Sequence, residues 1–103
     1  MGSEPRVTYQ TLKVLRVFLE DVRAEFSGVE LMKATGLASG SAYPILFRLE
    51  DAGLLESRWE EVDPSEAGRP RRRFYRITQR GAAFALEALS RVSPWGFPTP
   101  QES

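Results

Sequence analysis

Two short alternating segments, separated by a ten-residue loop, limit the fold more than any other feature. Apolar and polar side chains alternate in "LLESRWE" (54–60) and again in "RRRFYRI" (71–77), as they do in half-buried strands. The intervening "EVDPSEAGRP" holds two prolines and a glycine, which is typical of a loop. We therefore predict a β-hairpin with a long tip, and we expect Trp59 to lie in the core.

The helices predicted at the two ends of the chain carry unusually large apolar surfaces. One runs from Thr8 to about Phe26, and the other from about Gln79 to Val92 with Thr78 as its N-cap. A surface helix needs an apolar stripe only about 100° wide. Apolar residues cover more than half of the first helix and most of the last, so this surface must pack against a further partner.

A short helix is predicted over residues 27–36. Ser27 and Glu30 stand three residues apart, which is the spacing of a capping box. Gly36 can end this helix in a left-handed conformation. The boundaries of this helix are therefore set by its own side chains.

The third predicted helix, residues 37–53, contains a proline. Ser39 or Ser41 is the expected N-cap. A proline deep in a helix removes a hydrogen bond and clashes with the preceding turn, whereas the first turn tolerates it. Pro44 therefore places the start of this helix near residues 39–41.

The basic residues are concentrated in one part of a chain that carries no net charge. The run from Arg69 to Arg80 holds six of the fourteen basic residues and no acidic one. Because a phosphate backbone attracts locally concentrated positive charge, we interpret this run as a nucleic-acid contact. The alternative is a solvated strand face, partly neutralised by the acidic stretch just before it. That stretch is either a solvated loop or a repulsive patch that orients the arginines, and consists of Glu60, Glu61, Asp63 and Glu66.

The order of the elements predicts a mainly α fold with a small β-hairpin. Three helices, a two-stranded hairpin and a C-terminal helix form a winged helix-turn-helix. In that fold the third helix enters the major groove of DNA, with its N-terminal residues at the base edges. The hairpin tip, or wing, reaches toward the backbone or the minor groove.

Three stretches resemble one family of bacterial transcriptional regulators, the PadR family. They are "SGSAYPILFRLEDAGLLE", "GRPRRRFYRIT" and "QRG", and the resemblance runs from about Thr8 to Leu89. It implies a homodimeric repressor of the short subfamily, whose first and last helices form the dimer interface. The large apolar surfaces of those two helices agree with this on physical grounds. The interface residues expected here are Val14, Val17, Phe18, Phe84, Leu86, Leu89 and Val92.

The DNA-binding candidates lie on the third helix and on the wing. Ser39 and Ser41 have the alternative role of a cap, Tyr43 that of a packed aromatic, and Arg48 that of a partner for Glu50 or Asp51. Gly40 would let the helix N-terminus approach a phosphate closely. Arg76 and Arg80 lie farther from the tip than Arg69 and Arg71 and are expected to be structural. The full set of candidates is Ser39, Gly40, Ser41, Tyr43, Pro44, Arg48, Arg69, Arg71, Arg72 and Arg73.

Small aromatic effectors are implied by the family resemblance alone. An aromatic side chain near a dimer cleft can stack on a flat ligand. Trp95 and Phe97 are the candidates for that role, with packing or disorder of the tail as the alternative. Nothing in the sequence selects one effector.

Length and composition exclude several other classes of function. The chain has 103 residues and no histidine or cysteine, so we expect one domain, no metal, no cofactor and no enzymatic activity. No apolar run approaches the roughly 20 residues of a membrane span, so a cytoplasmic protein is expected. We assign residues 1–7 to a disordered segment or cloning remnant, 8–92 to the DNA-binding domain with its dimerisation helices, and 93–103 to a proline-rich tail. The alternative function is a winged-helix docking module that binds proteins and not DNA.

Overall fold

The computed structural model describes residues 7–91. These residues form five helices and a three-stranded antiparallel sheet, and the predicted winged-helix architecture is confirmed. The expectations for the two chain ends, including those for Val92, Trp95 and Phe97, lie outside the described residues. In chain order the elements are α1 (Tyr9–Glu20), β1 (Phe26–Ser27), α2 (Gly28–Thr35), α3 (Ser39–Asp51), β2 (Leu55–Trp59), α4 (Pro64–Ala67), β3 (Arg73–Ile77) and α5 (Gln79–Ser90).

Helix α1 starts as predicted and ends early. Thr8 is the N-cap, and its hydroxyl accepts a 3.1 Å hydrogen bond from the amide of Thr11. The predicted end at Phe26 is wrong, because the helix stops at Glu20. Asp21 is extended, and its carboxylate accepts from the amide of Arg23 at 3.1 Å. This local side-chain hydrogen bond competes with continuation of the helix.

The residue predicted to end α1 instead forms a strand that the sequence did not reveal. Phe26 and Ser27 make up β1, which pairs with β3 so that Phe26 lies opposite Tyr75. The ring of Phe26 packs edge-on against Phe18, with centroids 5.4 Å apart. The strand order is β1-β3-β2, so β3 is the central strand. A two-residue strand is too short to produce an alternating pattern.

Helix α2 matches its prediction at both ends. The Ser27 hydroxyl accepts from the amide of Glu30 at 3.2 Å, and the Glu30 carboxylate accepts from the amide of Ser27 at 2.8 Å. Gly36 follows the helix at φ 77°, a left-handed conformation in which glycine lacks the usual steric penalty. The capping box and the terminating glycine therefore fix the bounds of α2.

Helix α3 starts within the predicted range, but with a different cap. Its N-cap is Ala38, which has no side-chain hydrogen bond to offer, so the predicted capping by Ser39 or Ser41 is wrong. Both serines are instead helical residues of the first turn. Pro44 is the sixth residue of the helix and not part of the first turn. Since proline lacks an amide hydrogen, the carbonyl of Gly40 has no partner at that position.

The core lies between the helices and the inner face of the sheet. Helices α1 and α5 pack against each other, and α3 packs against both α2 and β2. Part of the large apolar surface of α1 is therefore buried within the chain itself. No helix within residues 7–91 is long and apolar enough to cross a membrane. The largest fully buried side chains include Leu15, Phe18, Leu31, Leu46, Leu49 and Tyr75.

The hairpin has the predicted strands and an additional short helix in its tip. In β2, burial decreases toward the tip, from Leu55 at 2% exposure to Trp59 at 57%. The prediction that Trp59 lies in the core is therefore wrong. Trp59 is the last residue of β2 and lies opposite Arg73, whose guanidinium sits 5.4 Å from the centre of the indole ring. Within the tip, α4 is capped by Asp63, which accepts from the amide of Ser65 at 2.9 Å.

Candidate nucleic-acid interface

The outward face of α3 carries three residues without polar side-chain atoms, together with the exposed polar residues Ser39, Arg48 and Asp51. Gly40, Pro44 and Phe47 follow one another at helical spacing and are all exposed. Phe47 is 52% exposed, while Leu46 and Leu49 on the opposite face are fully buried. We call Gly40, Pro44 and Phe47 the α3 stripe. The stripe carries no side chain that can donate or accept a hydrogen bond.

Tyr43 supports the stripe from one side. Its ring is half-buried and packs where α2 begins: a Cβ on Gly28 would lie 2.6 Å from the ring carbons Cε1 and Cζ. The ring of Phe47 lies 6.0 Å from that of Tyr43 at an angle of 34°. Tyr43 is therefore a packed aromatic, and its role as a DNA contact stays a prediction.

The polar candidates on α3 are placed at its start and on its far flank. Ser39 is exposed and Ser41 is half-buried in the first turn. The amide of Ser41 donates to the carbonyl of Ala38 at 3.0 Å, and the absence of a side-chain cap leaves the amides of Ser39 and Gly40 open to an anionic group. Arg48 is exposed, and no ion pair within residues 7–91 joins it to Glu50 or Asp51. Its charge is therefore available on the same surface.

Glu60 organises the base of the wing. Its carboxylate accepts two hydrogen bonds from the guanidinium of Arg69, at 2.7 and 2.9 Å, and one from the amide of Arg72 at 3.2 Å. The Arg69 guanidinium is the main reason that the pKa of Glu60 is lowered to about 2. The acidic stretch is therefore not only a solvated loop, because Glu60 clamps the wing and Asp63 caps α4.

A second polar cluster joins the wing to α3. The Nη2 atom of Arg73 on β3 lies 3.2 Å from both carboxylate oxygens of Glu50 on α3. The Nε atom of Arg73 donates to the Ser57 hydroxyl at 2.9 Å, and that hydroxyl donates to Glu50. One charged group from α3 is thus held by groups from both strands of the hairpin. This cluster fixes the position of the wing relative to α3.

The remaining wing arginines differ in how much they are used within the chain. The Nε atom of Arg71 donates to the carbonyl of Val62 at 2.8 Å. Arg72 is exposed, and its side chain makes no hydrogen bond or ion pair with other parts of the chain between residues 7 and 91. Arg76 pairs with Glu56 on the outer face of the sheet. Arg69 and Arg73 are tied into the wing at least as firmly as Arg76. Within the described part of the chain, Arg72 on the wing and the exposed Arg80 on α5 are the two arginines of the run whose side chains make no hydrogen bond or ion pair.

Phe47 of the α3 stripe, its neighbour Tyr43 and the wing arginines line one groove. This groove has a volume of about 420 Å³, with aromatic side chains from α3 and β2 on its walls and arginines from the wing at its rim. The structure thus brings together residues of α3 and of the run 69–73 that are 22 or more positions apart in sequence. The lining includes Tyr43, Phe47, Trp59, Pro70, Arg71 and Arg72.

Sequence reasoning missed two components of this surface. Phe47 was not a candidate, although its helical position opposite the buried Leu46 and Leu49 marks it as outward-facing. Glu50 was considered only as a partner for Arg48, and its contact with Arg73 depends on how the hairpin folds back. The first could be found from helical periodicity, and the second needs the tertiary structure.

The residues predicted for a dimer interface fall into two groups. Val14 and Phe18 are buried in the core of the single chain, at 1% and 0% exposure, and have no surface left for a second copy. Val17, Phe84 and Leu89 are half-buried, and Leu86 is 63% exposed. Within residues 7–91, no group of three or more acidic side chains is placed to hold a metal ion.

Residues 19–87 match the family model described as the transcriptional regulator PadR-like family. The structure resembles that of a PadR family transcriptional regulator from Eggerthella lenta DSM 2243, with a TM-score of 0.63 and 26% identity over 80% of this chain and 72% of that one. It also resembles a PadR family transcription regulator from hypervirulent Clostridium difficile R20291, with a TM-score of 0.65 and 22% identity over 81% and 85%.

A third similar structure contains a small aromatic molecule. It is NadR in complex with 4-hydroxyphenylacetate, with a TM-score of 0.64 and 26% identity. The alignment covers 79% of this chain but 52% of NadR, so the chain spans about half the length of that protein. No curated protein matches the sequence.

Proposed function

Because this chain belongs to the PadR-like family of transcriptional regulators, we propose that it is a repressor that binds a palindromic operator as a homodimer. Its α3 enters the major groove, and its wing contacts the flanking backbone or the minor groove. The observation that carries this proposal is the shared groove, which is lined by Tyr43 and Phe47 of α3 and by Arg72 of the wing. Base edges and phosphates can then be contacted by one rigid surface.

Different residues of this surface have different roles, which follow from their chemistry. The uncapped first turn of α3, with Ser39 and Gly40, provides amides for a phosphate at the edge of the major groove. Arg72 at the wing and Arg48 on α3 supply positive charge for the backbone. Arg69 and Arg73 hold the wing in place through Glu60 and Glu50, so that Arg72 is presented at a fixed distance from α3.

Dimerisation is proposed to use the exposed apolar part of α5. Leu86 has 63% of its surface exposed, and Leu89 and Phe84 are only half-buried. The half-buried Val17 on α1, which packs against α5, extends this surface. A two-fold axis here would place two α3 helices in successive major grooves, about 34 Å apart. The operator would then contain two inverted half-sites one helical turn apart.

Regulation by a small aromatic effector is the remaining part of the proposal. Its support is the similarity to NadR, which is known in complex with 4-hydroxyphenylacetate. An effector bound at the dimer interface would change the distance between the two α3 helices by a rigid-body movement. The size of its effect is limited by the difference between its affinities for the two arrangements.

Selection from a pool of random 40-base-pair duplexes tests the proposed function. A sequence-specific dimer enriches one motif with two inverted half-sites separated by about 10 base pairs. A docking module enriches no motif, because its arginines would attract all duplexes equally. Enrichment of a single half-site without a repeat would refute the homodimer and leave sequence-specific binding standing.

A further inference from the structure

We propose that Phe47 is a specificity-determining residue that reads the 5-methyl group of thymine in the major groove. This inference rests on the proposed function, because it assumes that α3 lies in the major groove. It adds to that function the kind of base pair that the centre of α3 selects. The observations that carry it are the composition of the α3 stripe and the exposure of the Phe47 ring beside Tyr43.

The α3 stripe can contact DNA only through apolar side-chain atoms. Gly40, Pro44 and Phe47 offer no hydrogen-bond donor or acceptor from their side chains. Direct recognition of guanine, adenine or cytosine in the major groove relies on hydrogen bonds to their edges. The thymine methyl group is the one apolar feature among the four unmodified bases there, and apolar side chains recognise it by contact. A stripe of this composition is therefore matched to thymine.

The ring of Phe47 points away from the core and toward the groove. The core of this chain is closely filled, with Leu46 and Leu49 at 0% exposure on the buried face of the same helix. Phe47 is 52% exposed, which leaves a large apolar surface in water. Trp59, which is 57% exposed, lines the same groove, and a patch of exposed apolar side chains is typical of a binding surface. The position of Phe47 in the groove beside the wing places that surface where the proposed function places DNA.

The surroundings of Phe47 support its ring and leave space for α3 to approach the bases. Phe47 lies against Tyr43, with ring centroids 6.0 Å apart, and Tyr43 is seated in the space that Gly28 leaves open. The ring is thus supported from one side by a half-buried neighbour. Gly40 and Pro44 are compact, so they let the helix approach the bases closely enough for the ring to reach a methyl group. Within the described residues, no atom of a neighbouring element lies within 4 Å of the position that a Cβ on Gly40 would occupy. The protein itself therefore does not block this approach.

Deoxyuridine isolates the methyl group, because it differs from thymine in the major groove only by that group. Operators selected from the random pool are remade with single thymine-to-deoxyuridine changes, and binding is measured by fluorescence anisotropy. At a contacted position, we expect wild-type affinity to fall about fourfold, the value for one buried methyl-sized group. Substituting the symmetric positions of both half-sites should lower it about sixteenfold, since distant changes add.

Variants of the protein complete a double-mutant cycle. Phe47→Ala should bind the thymine and deoxyuridine operators equally, whereas Phe47→Leu, which stays apolar, should retain part of the discrimination. Val22→Ala is the matched control, since Val22 is an exposed apolar residue (46%) in the turn after α1. It should discriminate as the wild type does. Circular dichroism checks that each variant is folded.

Three results would overturn the inference. They are a selected operator without thymine in its half-sites, a wild type insensitive to deoxyuridine at every position, and a folded Phe47→Ala variant that keeps the full fourfold loss. Each of these leaves sequence-specific DNA binding intact and removes only the role of Phe47. If the pool yields no motif at all, the proposed function falls together with the inference, and the exposed ring is better explained as a protein-docking surface.

Discussion

Replacing Gly81 by alanine is predicted to destabilise the protein, although alanine is normally the better helix former. Gly81 is the third residue of α5 and is buried. A Cβ at this position would overlap the carbonyl oxygen of Leu54, and would lie 2.8 Å from its carbonyl carbon and 2.9 Å from Cγ1 of Ile77. Real Cβ contacts essentially never fall below 3.0 Å, so part of the backbone must move.

The backbone around Gly81 has little freedom to move. The amide and the hydroxyl of Thr78 both donate to the carbonyl of Leu54, at 3.0 and 3.1 Å, and the same hydroxyl accepts from the amide of Gly81 at 2.9 Å. Shifting Leu54 or α5 therefore disturbs the N-cap as well. Overpacking typically costs about 1–3 kcal/mol, while the helix preference of alanine over glycine returns about 0.5–1 kcal/mol. We expect a net loss of about 2 kcal/mol, most of it from the combined clash and cap disturbance.

Gly40 provides a matched control for this prediction. It also lies in the first turn of a helix, but no atom lies within 4 Å of its Cβ position. Gly40→Ala should therefore be neutral or stabilising by up to about 1 kcal/mol. Urea unfolding followed by circular dichroism at one fixed protein concentration compares the two variants, and Gly81→Ala should also lower Tm by roughly 8–16 °C. A Gly81→Ala variant as stable as the wild type would refute the packing described for α5.

Three further changes test the wing and the dimer. Because the pKa of Glu60 is lowered in the folded state, its contribution to stability should be complete above about pH 4.5 and should disappear as pH falls toward 2. The urea midpoints of wild type and Glu60→Gln should therefore converge across that range. A constant difference between the two midpoints would contradict the pairing of Glu60 with Arg69. Arg72→Ala should reduce the slope of log K against log salt by about 1 per protomer, whereas Arg76→Ala, which removes a side chain paired with Glu56 and outside the groove, should leave it unchanged. If the proposed dimer forms through α5, wild type should sediment as a dimer at tens of micromolar and Leu86→Glu as a monomer, whereas a dimeric Leu86→Glu variant would place the interface elsewhere.

The regular elements could be predicted because their signals are local. Ser27 and Glu30 fix the start of α2 by bonding to each other's backbone, and Gly36 ends it. Thr78 similarly caps α5. Alternation over five residues was enough to place β2 and β3. In these cases, the interaction that sets the boundary lies within a few residues of it.

The failures concern features set by tertiary contacts. Strand β1 exists because Phe26 finds Tyr75 across the sheet, 49 positions along the chain, and two residues carry no pattern of their own. Trp59 follows the alternation of β2 but extends past the part of the sheet that the helices cover. The extended Asp21 ends α1 while apolar residues still recur at helical spacing.

The candidate site was predictable in its location and less so in its internal organisation. The sequence placed it on α3 and the arginine run, and the structure brings those segments to one groove. From the sequence, the four wing arginines were all expected to contact DNA. In the structure, Arg69 is held by the carboxylate of Glu60 and Arg73 by that of Glu50. Which arginine stays free depends on where the acidic side chains fold, and that information is not local.

Fluorescence-anisotropy binding to the DNA upstream of the gene for this protein, against scrambled DNA across a salt series, tests the central claim most directly. We predict a preference of about a thousandfold or more for the upstream DNA, with affinity falling steeply as salt rises. Absence of binding to either DNA at low salt would contradict a DNA-binding role for the groove between α3 and the wing.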